Sequence, residues 1–130
     1  MLIGQTLVAG KRSSTAENST VSTPWIARQG DAVTSSFEVT AMVSADTKIS
    51  VTLYHRDSVD TGTGSANGSA NITSTEFQSG TTVKSFRSSG CKQLVRYEVE
   101  LEYTGSSSDA TVWSNVRVLQ PSWETTGAQG

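Results

Sequence analysis

The sequence predicts an all-β protein: an antiparallel β-sandwich of about eight strands, jelly-roll-like or Ig-like in its order. Three observations predict it. Apolar residues recur at every second position along much of the chain, while helical spacing is nearly absent. Val, Ile and Thr make up 35 of 130 residues and Val outnumbers Leu 13 to 6, a bias towards side chains that suit a pleated sheet. Strand-like runs follow one another at a spacing of roughly 8–15 residues with turn residues between them, as in sandwiches and jelly rolls.

Taken in order, residues 2–9 form the first strand candidate. Residues 11–23 form a polar connector of Ser, Thr and charged residues. A short strand is expected over 25–29. In the segment 33–44, Phe37, Val39, Ala41 and Val43 alternate with Ser36, Glu38, Thr40 and Met42. In 48–55, Ile49, Val51, Leu53 and His55 alternate with Lys48, Ser50, Thr52 and Tyr54, and Ala45-Asp46-Thr47 is short enough to turn one strand into the other. Residues 57–69 read as a long Gly/Ser loop. Strands are then expected over 70–77 and 81–87, with Gln78-Ser79-Gly80 as the turn between them.

The clearest alternation lies in 94–103. Val95, Tyr97, Val99, Leu101 and Tyr103 share one face, and Arg96, Glu98, Glu100 and Glu102 share the other, so the strand is half-buried with an acidic outer face. Lys48, Lys92 and Arg117 are candidates to neutralise that row from neighbouring strands. Residues 104–109 form a turn, 110–119 the last strand, and 121–130 a polar tail whose one large apolar residue is Trp123. A tail cannot bury a Trp by itself, so Trp123 packs back on the domain, reaches a neighbour or stays in water.

Composition narrows function. The chain has the length of one domain, 1–130. Its net charge of −2 argues against a sequence-independent nucleic-acid partner, which a basic surface would serve. No apolar run approaches the 18 or so residues of a membrane span, so no membrane partner is expected. The start Met1-Leu2-Ile3-Gly4 has no basic residue ahead of its apolar stretch, because Lys11 and Arg12 follow it. That is the wrong order for a signal peptide, and synthesis without secretion is expected. The single cysteine, Cys91, makes neither an intrachain disulfide nor a Cys-based metal site. The Gly90 before it marks a turn and leaves burial of the thiol open.

Chemical constellations are sparse. His55 is the single histidine. With Asp57 nearby and 21 serines it suggests a triad only by abundance, and no Gly-x-Ser-x-Gly elbow is present. The simpler reading has His55 ending a strand at a partly buried edge. Asp57 and Asp60 before Gly62 supply too few oxygens for a calcium site. The run from Gly62 to Gly68 lacks the Gly-Lys-Ser/Thr ending of a phosphate loop. Glu98, Glu100 and Glu102 form a row on one flat face rather than a pair across a cleft, which suits structure better than glycoside hydrolysis. Trp25, Trp113 and Trp123, with Tyr54, are candidates for a sugar-stacking platform, although core or interface packing is the commoner fate of such residues. The expectation is a non-enzymatic protein with no cofactor and no metal.

A small, all-β, Ser/Thr-rich chain with a polar connector after its first strand and a Trp-bearing tail resembles the small virion structural proteins of tailed bacteriophages. Among these it is most similar in style to capsid decoration, or cement, proteins, which are often β-sandwiches or jelly rolls with terminal arms. The resemblance runs over the whole chain and rests on architecture, with no motif behind it. It implies protein partners, either the capsid shell or further copies of the chain in a homo-oligomer, and a place in the virion after synthesis in the host cytoplasm. Leu2, Ile3 and Leu7, together with Trp25 and Trp123, would be the anchors. A tail or connector subunit and a carbohydrate-binding module are the alternatives.

Overall fold

A computed structural model describes residues 2–12, 19–43, 46–106 and 110–126, with residues 2–12, 19 and 110–111 described by their backbone. Ten strand segments and one short helix make up the described residues: β1 (Leu2–Arg12), β2 (Ser19–Ser22), β3 (Ile26–Ala27), β4 (Ala32–Met42), β5 (Thr47–Arg56), β6 (Ser65–Thr73), α1 (Ser74–Gln78), β7 (Val83–Ser89), β8 (Leu94–Tyr103), β9 (Ala110–Leu119) and β10 (Ser122–Glu124).

One sheet runs β1-β9-β4, with β7 on the far side of β4 and β10 beside the start of β4. The other runs β8-β5-β6, with β2 and β3 sharing the outer edge of β8. Every pairing is antiparallel. With β2 and β3 counted as one broken strand, the pairing is nested: β1 with β9, β2/β3 with β8, β4 with β7, β5 with β6. This nesting is a long hairpin folded over on itself, and it gives jelly-roll order rather than Ig order.

Alternation explains the layering. On β8, Val95, Tyr97, Val99 and Leu101 are buried. On β5, Ile49, Val51 and Leu53 face them from the same sheet. Phe37, Val39, Val116 and Val118 close the core from the other sheet. A buried polar contact crosses between the sheets: the Ser35 hydroxyl and the Tyr97 hydroxyl lie 2.6 Å apart. Burial pushes the Tyr97 hydroxyl up, so it stays protonated and can share that bond.

Several expectations need correction. The connector 11–23 is partly strand, because Lys11 and Arg12 continue β1, and Ser19–Ser22 pair with β8 as β2. Ser and Thr are tolerated at a sheet edge, and the Leu101-Glu100-Val99-Glu98 ladder offers them backbone partners. Residues 13–18 of the connector lie outside the described residues. The Gly/Ser loop ends at residue 64, since Ser65–Thr73 pair with β5 as β6. The strand expected over 70–77 stops at Thr73, whose hydroxyl caps α1 by accepting from the Glu76 N–H at 3.1 Å. The Glu76 carboxylate accepts in return from the Thr73 N–H, also at 3.1 Å, which completes a capping box. In β4 the register shifts between Val39 and Ala41, so Met42 rather than Val43 is buried.

The tail is tied down as far as Thr126. Ser122–Glu124 pair with β4, Trp123 opposite Val33. Trp123 packs half-buried against the core. Thr126 donates its N–H and hydroxyl to the Asp31 carboxylate at 2.8 and 2.6 Å, which lowers the Asp31 pKa. Residues 127–130 lie outside the described residues.

Candidate functional site

The turns after β3, β5 and β7 lie together at one end of the sandwich, because Arg56 pairs with Leu94, His55 with Ser65, and Ala32 with Ser89. A cleft of about 570 Å³ opens there, lined by His55, Arg56, Asp60, Thr63 and Lys92 among others. It is built by close backbone approach. Gly64 has a positive φ of 73°, and a Cβ there would stand 2.5 Å from the His55 carbonyl oxygen and 3.0 Å from the Trp25 ring. Glycine is therefore required for the β5–β6 turn to close over Trp25.

Trp25 organises this end. The guanidinium carbons of Arg56 and Arg96 sit 4.7 and 4.9 Å from its ring centroid, and Arg96 also lies 5.8 Å from that of Tyr54. The residues come together because Tyr54 and Arg96 are cross-strand partners on the outer face of β5 and β8. Arg56 donates from Nη1 to the carbonyls of Asp60 and Gly62, at 3.0 and 3.1 Å, and so pins the turn. The Nε atoms of both arginines are enclosed without a hydrogen-bond acceptor. A second clasp joins this turn to the next: Gln93 Oε1 accepts from the Ser58 N–H and hydroxyl, each at 2.8 Å.

The distribution of charge is uneven. Among the described residues, Lys48, Lys84, Arg87 and Arg117 each make an ion pair, with Glu102, Glu76, Glu124 and Glu38. The other four cations whose side chains are described, Arg28, Arg56, Lys92 and Arg96, make none; all four lie towards the cleft end, with Arg56 and Lys92 in its lining. Arg28 donates to the Cys91 carbonyl. Of the partners expected for the acidic row on β8, Lys48 does pair with Glu102, at 3.3 Å. Arg117 instead serves Glu38 in the other sheet, and Lys92 stands at the cleft.

His55, the residue before the last of β5, is half-buried. Its Nδ1 accepts from the Lys92 N–H at 3.1 Å and faces the Asn67 amide at 3.4 Å. Burial lowers its pKa, and the Lys92 charge lowers it further. Asn67 also reaches the Cys91 sulfur at 3.9 Å, so a Cys, a His and an Asn meet here. A cysteine nucleophile needs an accessible thiolate, whereas burial pushes the Cys91 thiol up and leaves it 2 % exposed. The cluster is a structural clasp between β6 and the β7–β8 turn.

The sequence-derived anchors are dispersed. Leu2, Ile3 and Leu7 lie in β1, with Leu2 opposite Leu119, Leu7 opposite Asn115, and a register shift between Leu2 and Gly4. Trp25 is on the outer face of one sheet with its ring taken up by guanidinium groups. Trp123 is packed on the core near the same end. Trp113, 38 % exposed, is on the outer face of the other sheet, opposite Ala9 and beside Val43 at the far end. The three tryptophans therefore share no face, and no flat row of aromatic rings forms. The sequence reading missed Arg56 and Arg96 as residues of this end, and assigned Lys92 to the acidic row of β8 instead. Position 96 was visible as the one cation in an otherwise acidic outer row of β8.

Comparison with protein-family models, with curated proteins and with solved structures returned no match to this chain.

Proposed function

We propose that this chain is a non-enzymatic interaction protein, a structural component of a virion of the kind that decorates or cements a tailed-phage capsid. The observation that carries the reading is the nested strand order, because eight-stranded jelly rolls recur in viral capsid proteins. The physical fit is specific. Folding the hairpin on itself ties β1 to β9 and β10 to β4, so both outlying strands brace one sheet. A braced body with a polar surface suits a lattice, where many weak contacts add through multivalency. Trp113 and Val83, both left partly in water on the outer face of the β1-β9-β4-β7 sheet, are the apolar groups a protein neighbour would cover. Partners in this reading are the shell or further copies of the chain.

Light scattering on a sizing column across a concentration series tests the assembly that this reading requires. A trimer or a larger closed ring is expected, with an assembly-dependent shift of Trp emission that W113A loses. A strict monomer at every concentration contradicts the homo-oligomeric form of the proposal.

A further inference from the structure

We infer that the cleft between the β5–β6 and β7–β8 turns is a binding site for an acidic saccharide, one carrying a carboxylate or a sulfate. This inference is independent of the virion reading. Its first support is the segregation of charge. Among the cations whose side chains are described, Lys48, Lys84, Arg87 and Arg117 are each paired with a carboxylate, while Arg28, Arg56, Lys92 and Arg96 gather towards one end with no ion pair, Arg56 and Lys92 in the cleft lining. Holding like charges together costs energy unless an anion joins them.

The second support is pre-organisation. Arg56 and Arg96 are held against Trp25, and Arg56 is further fixed by two carbonyls. A positive charge held in one place loses little entropy when an oxyanion settles beside it. The third is the lining. Thr61, Thr63 and Ser65 place hydroxyls along the cleft, and Asp60 places a carboxylate there, donors and acceptors matched to sugar hydroxyls. The nearby acids are Asp31, whose carboxylate feels the Arg28 charge and already accepts from Thr126, and Asp57 and Asp60, the Asp60 carboxylate accepting from the Asp57 N–H at 3.3 Å. His55 is held neutral by its acceptor role towards the Lys92 N–H and adds no charge near neutral pH.

A long polyanion fits less well. Glu98, Glu100 and Glu102 continue from Arg96 along the same face of β8, so a strand of nucleic acid laid on that face would meet a row of carboxylates. A single acidic sugar residue entering the cleft avoids them.

The test is titration of the full chain, followed by Trp emission and by calorimetry. The probes are a galacturonic acid tetrasaccharide, its methyl ester, a sulfated heparin-derived tetrasaccharide, and a single-stranded DNA oligonucleotide. Binding of the free acid or the sulfated probe, with the ester at least tenfold weaker, is expected; which of the two binds tighter separates carboxylate from sulfate recognition. K92Q should weaken binding about fivefold, the worth of one solvent-exposed charge contact, and R96Q, which removes a guanidinium packed on Trp25 behind the lining, should weaken it by less. E102Q, away from the cleft, should leave it unchanged. Lys92 is an exposed turn residue, so K92Q keeps the fold, and the R96Q fold is checked by near-ultraviolet circular dichroism. Failure of both acidic probes to bind, equal binding of the ester, unchanged binding in K92Q, or binding of the oligonucleotide alone would overturn the assignment.

Discussion

Replacing Ser35 by Ala would leave the Tyr97 hydroxyl buried without its partner, and an orphaned buried donor costs about 1–3 kcal/mol. Urea unfolding of S35A should show that loss, and Y97F combined with S35A should recover part of it. Trp25→Ala removes the ring under two guanidinium groups, each contact contributing about 0.5–1 kcal/mol at a partly exposed site, so a loss of about 1–2 kcal/mol is expected from the same measurement. His55 gives a pH signature. Its folded pKa lies below the ordinary 6.5, so the unfolded chain takes up the proton first as pH falls. Its contribution is therefore complete above pH 6.5 and is lost as pH drops from there towards the folded pKa. H55Q should flatten that part of the wild-type stability profile, and an unchanged slope would contradict the burial assigned to the ring. Asp31 and Glu76 act at lower pH: their depressed pKa values stabilise the fold above the ordinary values of 3.8 and 4.5, and that stability is lost on further acidification.

At the scale of elements, β1 is an integral strand. It pairs with β9 from Leu2 to Arg12, so deleting residues 1–12 should abolish native near-ultraviolet dichroism rather than trim an arm. Thr73→Ala should cost about 1 kcal/mol through loss of the α1 cap. How far the elements were legible follows from what each presents to solvent and core. β8 was readable to the residue, and β5 nearly so, because one face is apolar and the other polar without interruption. β2 and the first part of β6 were not, since edge segments of Ser, Thr, Gly and Asn take their conformation from backbone pairing and carry no alternation. α1 hid behind a residue pair, Thr73 and Glu76, whose capping geometry overrides a β-rich neighbourhood. The cleft was the least legible feature. Trp25, Arg56, Lys92 and Arg96 are brought together by strand order, and period-2 patterns carry faces but no neighbours.

For the molecule as a whole, the nested order pairs the first strand with the last long one, so most contacts join residues far apart in sequence. Loop closure must precede those contacts, and folding on the millisecond-to-second scale is expected in stopped-flow fluorescence. The same order leaves two outer faces of unlike character. One carries the acidic row of β8 and the cationic cleft end; the other carries Trp113 and Val83. In the virion reading the second face meets the shell and the first is displayed. The most direct measurement of that claim is quantitative mass spectrometry of particles purified through a density gradient from cells that express the chain. The account predicts the chain in the particle fraction, at a fixed whole-number ratio to the main shell protein. Recovery of the chain solely in the soluble fraction, with particles complete without it, would contradict the account.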